Sequence, residues 1–283
     1  MNLYRETIQL LKTYGIKPSK KLGQNFCISE KTLMKMIEYA KLRQMDTVLE
    51  VGAGIGHLTK FLCKNVAKVY AIEVDPRLVK VLQDRFNETE NVDIIYGDIL
   101  KVKIPQFNKI VCNPPYSISS PLIFKLLQNS FEIGIMTLQK DFAKRLVAKE
   151  GNKEYGRLTV MASLKANIKV LDYVPPEAFY PIPEVESAIV EIVPLNREDS
   201  VLNWTNFSEF IRIVFNQRNK KLRNGLISFL KNRYSIDEEK IEEILEKLPH
   251  LEERVYKLNP ESLSSLFNKI NQTLAIIEDR KCL

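Results

Sequence analysis

The chain has 283 residues, of which 45% are apolar and 27% are charged. This composition is typical of a globular protein with room for one large core and a small second domain. No apolar run approaches the roughly 18 residues that a membrane-spanning helix needs. The N-terminal stretch also lacks the continuous apolar segment of a secretion signal. We therefore expect a cytoplasmic protein with no membrane partner.

Cysteines and histidines are few and scattered. The four cysteines form no C-x-x-C pair, and the only histidines are His57 and His250. This argues for a reducing compartment and against a Cys/His zinc site, so we predict no metal. The net charge of +7 is moderate, and it permits a polyanionic partner without requiring one.

The N-terminal region contains two predicted helices separated by a basic loop. Residues 3–14 have helical spacing and stop at Gly15, and residues 29–40 begin at Ser29, a good N-cap. The loop between them, residues 17–26, carries three lysines and two side-chain amides. A solvated charged loop is the simpler interpretation. The alternative is an arm that closes over a cleft, with amides that bind a polar ligand and lysines that meet phosphates.

A glycine-rich turn follows the first predicted strand of the sheet. Residues 47–51 read as a buried strand, which leads directly into Gly52-Ala53-Gly54-Ile55-Gly56 and a helix. Strand, glycine turn and helix are the layout of a nucleotide-cofactor site in an open α/β sheet. His57 stands where a dinucleotide fingerprint needs its third glycine, and there is no P-loop lysine. The spacing therefore suits S-adenosylmethionine better, although a plain tight turn remains the alternative.

Polar residues follow the next three predicted strands. Glu73 lies about 20 residues beyond the glycines, where an acid accepts hydrogen bonds from ribose hydroxyls. Asp75 is its competitor, and it could instead cap the next helix. Asp98 follows the third strand, where a carboxylate can accept a hydrogen bond from an adenine amino group, and Asn113 follows the fourth. Because parallel strands deliver their carboxyl ends to one edge of a sheet, these residues predict a single ligand site.

The stretch Asn113-Pro114-Pro115-Tyr116 follows the apolar run 109–112. Its two prolines hold the backbone in a stiff, extended kink just past the strand end. The Asn113 amide oxygen and the Pro114 carbonyl can together accept both hydrogens of a planar amino group, while the Tyr116 ring stacks on the heterocycle. The alternative is a proline-rich turn with an incidental tyrosine.

A second proline-studded loop, residues 175–185, presents two aromatic side chains. We expect Phe179 to offer the other face of an aromatic sandwich to a flipped base. Packing under a long connection is the alternative.

The pattern changes to helices alone after Pro194, which places a domain boundary near Asn196. Residues 212–233 contain seven Lys or Arg side chains and no acid. A merely solvated helix face would usually mix both signs of charge, so we favour a phosphate-binding surface.

Six stretches of the sequence resemble the small-subunit ribosomal RNA adenine dimethyltransferases of the KsgA type, and the resemblance runs through nearly the whole chain. They are Leu22-Gly23-Gln24-Asn25-Phe26, Glu50-Val51-Gly52-Ala53-Gly54-Ile55-Gly56, Asn113-Pro114-Pro115-Tyr116, Tyr155-Gly156-Arg157-Leu158, Phe179-Tyr180-Pro181-Ile182-Pro183-Glu184-Val185-Glu186-Ser187-Ala188 and Phe215-Asn216-Gln217-Arg218-Asn219-Lys220-Lys221-Leu222-Arg223. Many bacterial members have leucine at position 114 and leucine or a similar residue at position 27. Proline and cysteine there fit an archaeal or eukaryotic-like branch better.

The resemblance implies an α/β fold with a Rossmann-like class I S-adenosylmethionine-dependent methyltransferase sheet in residues 1–196. A small all-helical domain in residues 197–283 would bind RNA or the ribosome. The implied reaction moves methyl groups from S-adenosylmethionine to the exocyclic amine of two adjacent adenines near the 3′ end of small-subunit ribosomal RNA, during ribosome biogenesis. The partner would be the small ribosomal subunit, and we expect a monomer.

The same resemblance, with the residue reasoning above, assigns the site. The expected catalytic residues are Asn113, Pro114, Tyr116 and Phe179. The expected cofactor-binding residues are Gln24, Asn25, Cys27, Gly52, Gly54, Glu73, Asp98 and Asn113. The expected RNA-binding residues are Lys20, Lys21, Arg218, Lys220, Lys221 and Arg223. Three alternatives remain, namely a large-subunit RNA methyltransferase, a DNA adenine methyltransferase and an assembly factor without activity.

Overall fold

Strands and helices alternate along the first part of the chain, as the hydrophobic pattern predicts. The computed structural model describes residues 2–195, 201–234 and 236–279, with side chains up to residue 275. The elements in chain order are α1 (Leu3–Thr13), β1 (Phe26–Cys27), α2 (Glu30–Ala40), β2 (Thr47–Val51), α3 (His57–Leu62), β3 (Lys68–Glu73), α4 (Pro76–Phe86), β4 (Val92–Tyr96), β5 (Lys109–Cys112), α5 (Ser119–Leu126), β6 (Ile133–Gln139), α6 (Lys140–Leu146), α7 (Arg157–Ser163), β7 (Ala166–Val174), β8 (Phe179–Tyr180), β9 (Ser187–Pro194), α8 (Trp204–Phe215), α9 (Leu222–Tyr234), α10 (Glu238–Glu246) and α11 (Pro260–Asp279).

Two compact units divide the chain. One comprises residues 1–143 and 166–194, and the other comprises residues 144–165 and 195–283. The predicted boundary at Asn196 lies outside the described residues. Nothing in the sequence indicated that residues 144–165 would pack with the later helices, because the chain leaves the sheet after β6 and returns to it with β7.

Capping side chains mark the starts of the helices. The Ser29 side chain accepts a hydrogen bond from the Thr32 amide and begins α2. Asp75 accepts one from the Arg77 amide and begins α4, with Pro76 in the first turn, where a missing N–H costs nothing. Asp75 is therefore the helix cap that we gave as its alternative role.

The first unit is built on a seven-stranded sheet with the order β4-β3-β2-β5-β6-β9-β7. Strands β4, β3, β2, β5 and β6 are parallel to one another, whereas β9 is antiparallel to both of its neighbours, β6 and β7. The chain moves outward from β2 to β4 and then returns to place β5 on the other side of β2. The loops after β2 and β5 therefore leave in opposite directions, and open sheets bind ligands in the crevice between such loops.

A buried polar network closes the opposite end of these central strands. The Lys109 ammonium donates to the carbonyl oxygens of Ala40 and Lys41 at 2.9 and 2.7 Å. It also lies 3.5 Å from a carboxylate oxygen of Asp46. Lys109 and Asp46 are 4% and 0% exposed, so the network compensates for burying a charge at the start of β5.

The second unit is held by a cluster of aromatic rings. Phe207, Phe210, Phe229 and Phe267 are fully buried, and their ring centroids approach to 5.1 Å for Phe210 and Phe229 and 5.4 Å for Phe207 and Phe267. Edge-on contacts at these distances add to the stabilisation that burial provides. The helical C-terminal region that the sequence predicts is confirmed, but this unit also includes residues 144–165.

Replacing Lys109 with methionine should lower the free energy of unfolding by about 2–4 kcal/mol, because two carbonyls and a buried carboxylate lose their cation. Urea denaturation measures the change. Exposed Lys80 is the control, and Lys80→Met should shift stability by less than about 0.5 kcal/mol. Equal stability of the two variants would show that the network does not stabilise the sheet.

Candidate active site

A cleft opens where the loops after β2 and β5 separate. Its space free of protein atoms is about 710 Å³, a volume that includes open solvent at the mouth. Its lining contains most of the residues that the sequence assigned to the cofactor and to catalysis, namely Gln24, Asn25, Cys27, Gly52, Gly54, Glu73, Asn113, Pro114 and Tyr116. An adjoining cavity shares Gly52 and Glu73 and adds Lys21 and Asp98.

The glycine turn and the Asn-Pro-Pro-Tyr loop approach each other closely. Gly52 has a φ of +73°, and a Cβ on it would lie 3.2 Å from the Cδ of Pro115. Such a backbone conformation and such a short approach together require glycine. The two loops therefore form one wall, with the strand ends of β2 and β5 behind it.

Glu73 is fixed by the backbone around it. Its carboxylate accepts hydrogen bonds from the amides of Gly54, Val74 and Asp75 at 2.8–2.9 Å. Burial raises the pKa of this carboxyl, and these amide hydrogen bonds oppose the rise. A carboxylate offers about four acceptor sites, so one remains for a ligand in the cleft.

A second buried carboxyl, Glu50, also lines the cleft, and the sequence analysis did not assign it a role. It is 2% exposed and accepts a hydrogen bond from the Thr59 hydroxyl at 2.6 Å. Burial raises the pKa of Glu50 to about 8, and the neighbouring Glu73 adds to the rise. The available signal was an acid inside the otherwise apolar strand β2.

The basic loop of residues 17–26 is tied to the cleft, as the arm interpretation requires. The Gln24 amide accepts from the Ser19 backbone amide at 2.7 Å and donates to Asp75 at 2.8 Å. The Asn25 carbonyl accepts from the Asn113 side chain at 3.2 Å. Gln24 thus anchors the arm with both ends of its amide, in addition to lining the cleft.

Two buried hydroxyls that the sequence analysis did not identify hold the polar groups of the Asn-Pro-Pro-Tyr loop. The Thr137 hydroxyl, on β6, donates to Oδ1 of Asn113. The Ser187 hydroxyl, at the start of β9, lies 2.5 Å from the Tyr116 hydroxyl. Burial raises the pKa of Tyr116, so its hydroxyl keeps its proton at neutral pH.

Phe179 does not present the exposed face that we expected. Its ring is 0% exposed and belongs to the core of the sheet unit, together with Leu33, Val111 and Ile189. The cause is the short ladder of β8 with β1, in which Phe179 pairs with Cys27. In this structure the alternative interpretation, packing under a long connection, describes Phe179.

The basic run of residues 212–233 is less positive in space than in sequence. Lys221 pairs with Glu252, Arg223 with Glu242 and Lys231 with Glu238. The Arg218 guanidinium donates to the carbonyls of Asn152 and Lys153 at 3.1 and 2.9 Å. The acids come from other segments, so the linear absence of acid did not predict an unbalanced surface.

Other cations of this unit lie on three neighbouring segments and have no ion-pair partner among the described residues. The Gly151 amide donates to the Tyr256 carbonyl, and the Val255 amide donates to the Lys220 carbonyl. These contacts bring three segments together. The exposed cations of these segments form no ion pair within the described part of the chain. We call them the cation cluster: Lys149, Lys153, Lys220, Arg254 and Lys257. Exposed Lys17, Lys20 and Lys21 of the arm are also unpaired among the described residues.

The described residues contain no group of three or more His, Cys, Asp or Glu side chains arranged to hold a metal ion. None of the described helices is both long enough and apolar enough to span a membrane.

Comparison with known proteins identifies relatives over most of the chain. The family described as Ribosomal RNA adenine dimethylase matches residues 15–272. A protein named probable ribosomal RNA small subunit methyltransferase A, from Methanosarcina barkeri, is 44% identical over 263 residues, which cover 92% of this chain and 90% of that protein. This archaeal relative agrees with the branch that Pro114 and Cys27 suggested.

Two solved structures share the fold. The crystal structure of a dimethyladenosine transferase from Plasmodium falciparum aligns with a TM-score of 0.77 and 29% identity, and covers 86% of this chain and 96% of that chain. The 23S rRNA methyltransferase ErmE aligns with a TM-score of 0.62 and 26% identity, and covers 88% and 100%. The predicted Rossmann-like methyltransferase fold is confirmed.

The buried carboxyl of Glu50 should make stability depend on pH. Its pKa of about 8 in the folded protein exceeds the ordinary value of 4.5. Glu50 therefore binds its proton more tightly in the folded protein than in the unfolded chain. This difference stabilises the folded protein fully below pH 4.5, and the stabilisation is lost as the pH rises toward 8. Glu50→Gln keeps an acceptor for Thr59 and removes the titration. In urea denaturation, the free energy of unfolding of Glu50→Gln should therefore rise by about 1–3 kcal/mol relative to that of wild type as the pH increases from 5.5 to 8.

A gain in stability that is independent of pH would contradict this assignment of the pKa. Glu246→Gln, at a position exposed on α10, is the control, and its stability should follow that of wild type at every pH.

Proposed function

This chain belongs to the ribosomal RNA adenine dimethylase family, and we propose that it methylates two adjacent adenines near the 3′ end of small-subunit ribosomal RNA. The methyl groups would come from S-adenosylmethionine and go to the exocyclic amine of each adenine, twice per base. The target would be presented by the small ribosomal subunit during its assembly.

One observation carries the proposal. The glycine turn after β2 and the Asn-Pro-Pro-Tyr loop after β5 meet at the switch point of the sheet, with a would-be Cβ of Gly52 only 3.2 Å from Pro115. A cofactor held against the first loop would have its reactive end beside the second. Methyl transfer needs this juxtaposition of donor site and acceptor site.

The residues of the two cavities fit S-adenosylmethionine. The glycine turn lets a ligand approach the backbone closely, and Glu73 keeps one acceptor site for a ribose hydroxyl. Asp98 in the adjoining cavity would accept from the adenine amino group, while Gln24, Asn25, Cys27 and Gly54 would enclose the remainder. When bound, S-adenosylmethionine supplies an electrophilic methyl group.

The Asn-Pro-Pro-Tyr loop would prepare the target amine. An exocyclic adenine amine is a weak nucleophile because its lone pair is delocalised into the ring. Asn113 Oδ1 and the Pro114 carbonyl would accept its two hydrogens and favour the pyramidal geometry in which the lone pair is available. Tyr116 would stack on the base and hold it in line. The excess proton becomes acidic only as the new bond forms, so no strong general base is required.

The target adenine must be unpaired, because a base inside a helix cannot enter such a cleft. Lys20 and Lys21 of the arm would bind phosphates near the cleft mouth. In the second unit, Lys220 and the rest of the cation cluster would bind the RNA backbone. Lys221 and Arg223 would contribute only by exchanging their glutamate partners for phosphates, and Arg218 would act by fixing the loop that carries Lys149 and Lys153.

The reaction is tested with labelled S-adenosylmethionine and four substrates: under-methylated small subunits, naked small-subunit RNA, large subunits and duplex DNA. Wild type should form dimethyladenine on small-subunit material alone. Asn113→Ala should lose at least about 100-fold in rate at saturating S-adenosylmethionine, because the amine loses an acceptor that orients it.

The other outcomes identify the alternatives. Label on large subunits would favour an activity like that named for ErmE, and label on DNA would favour a DNA adenine methyltransferase. Tight, salt-sensitive binding to small subunits without any transfer would favour an assembly factor.

Removing the unpaired cations should weaken RNA binding more than removing paired ones. The variant Lys149→Ala/Lys153→Ala/Lys257→Ala should reduce the slope of log affinity against log salt by about 2–3, because each released phosphate contact contributes about one. The matched control is Lys221→Ala/Arg223→Ala/Lys231→Ala, which removes three ion-paired cations. Filter binding to small-subunit RNA at several salt concentrations measures both slopes, and a larger change in the control would reject the cation cluster as the RNA contact.

A further inference from the structure

The register of the sheet places a buried hydroxyl beside the amide of Asn113. Strands β5 and β6 are parallel, and their last paired residues are Cys112 and Met136. The next residues along the two strands are Asn113 and Thr137, so they are neighbours. The Thr137 side chain is 0% exposed, and its hydroxyl donates to Oδ1 of Asn113.

The surroundings allow only one orientation of this amide. The Asn25 carbonyl can only accept a hydrogen bond, so the NH₂ end of Asn113 must face it, at 3.2 Å. The oxygen end must then face Thr137, whose hydroxyl donates. An amide oxygen has two acceptor directions, and Thr137 occupies one of them. The other stays available and is fixed in direction by the two partners.

Tyr116 is held in a comparable way from the next strand. Strand β9 lies beside β6, and Ser187 at its start pairs with Gln139. The Ser187 side chain is 0% exposed, and its hydroxyl lies 2.5 Å from that of Tyr116. The phenol is thereby held at both ends, by its backbone and by this hydrogen bond.

We propose that Thr137 and Ser187 are positioning residues for methyl transfer, which hold the Asn113 amide and the Tyr116 ring in the geometry that the target adenine needs. The inference rests on the proposed function, since it explains how that function is prepared. Neither hydroxyl touches the substrate; each acts through a residue of the Asn-Pro-Pro-Tyr loop. A misplacement of 1 Å in such a group can cost about 100-fold in rate.

The test uses matched variants of the full chain. Thr137→Val keeps the shape and removes the donor, whereas Thr137→Ser keeps the donor. At saturating S-adenosylmethionine and under-methylated small subunits, the single-turnover rate of Thr137→Val should fall about 10- to 100-fold, and Thr137→Ser should stay within about threefold of wild type. The affinity for S-adenosylmethionine should not change in either variant.

A double-mutant cycle separates positioning from general stability. Thr137→Val should have no further effect in an Asn113→Ala background, because the amide that it orients is absent. Thr159→Val is the control for loss of a buried threonine hydroxyl; that hydroxyl donates to the Arg145 carbonyl at 2.6 Å. This control should lower the melting temperature without slowing the single-turnover rate.

The hydrogen bond between the Ser187 and Tyr116 hydroxyls can be removed from either partner: Ser187→Ala removes one hydroxyl and Tyr116→Phe removes the other. Both keep the aromatic ring but remove its anchor, so both should slow transfer, and the double variant should be no slower than the slower single one. Additive losses would show that Ser187 does not act through Tyr116.

A second readout does not depend on activity. With ¹⁵N-labelled asparagine, the NMR signals of the Asn113 side-chain amide are identified by their loss in Asn113→Ala. They should shift or broaden in Thr137→Val and be retained in Thr137→Ser. Unchanged amide signals, or a Thr137→Ser variant as slow as Thr137→Val, would overturn the inference. If wild type methylates no adenine, the proposed function fails, while these signals still decide whether Thr137 orients the amide.

Discussion

The close approach of two loops at the switch point of the sheet is the constraint on which the site depends. The strand order puts β2 and β5 side by side although four elements separate them in sequence, and their loops must diverge from one point. Gly52 has a φ of +73°, and a Cβ on it would crowd Pro115 at 3.2 Å. The prolines in turn keep Asn113 from extending β5 into a longer strand and place Tyr116 just after the kink. Each loop therefore limits the conformations of the other.

Buried polar groups then convert this geometry into a chemically defined cleft. Glu73 is oriented by three backbone amides, and Asn113 by the Asn25 carbonyl and the Thr137 hydroxyl. A buried group with its partners in place is costly to reorient, because any rotation leaves a donor or acceptor unsatisfied. The site is thus organised before any ligand arrives. Glu50 illustrates the energetic cost of burying such a group, because burial raises the pKa of its carboxyl to about 8.

In the second unit, ion pairing makes the basic run, residues 212–233, less positive in space than its sequence indicates. The helices after α8 bring Glu252 to Lys221, Glu242 to Arg223 and Glu238 to Lys231. Exposed pairs of this kind contribute little to stability, but each cation is then less available to a phosphate. The loop that Arg218 fixes carries Lys149 and Lys153 instead, which form no ion pair with any described residue, in a segment where the sequence alternates both signs of charge.

The sequence by itself determined the sheet and most of the cleft. Strands 47–51, 92–96 and 109–112 form as the apolar runs predict, and the residues at their carboxyl ends meet because parallel strands bring those ends to one edge. Local chemistry was sufficient at these positions: glycine for a tight turn, proline for a kink, and Asp75 for a cap. The family was also evident from the sequence, because its motifs are contiguous stretches.

Tertiary structure decided everything that depends on a partner distant in sequence. The burial of Phe179 follows from a two-residue ladder with β1 that no periodicity could reveal. Thr137 and Ser187 meet Asn113 and Tyr116 only because of the register of β6 and β9. The charge of the basic run depends on acids from other segments, and the pairing of residues 144–165 with the later helices depends on where the chain leaves and rejoins the sheet. Sequence patterns report which residues prefer to be buried or charged, whereas three-dimensional packing decides which residues they meet.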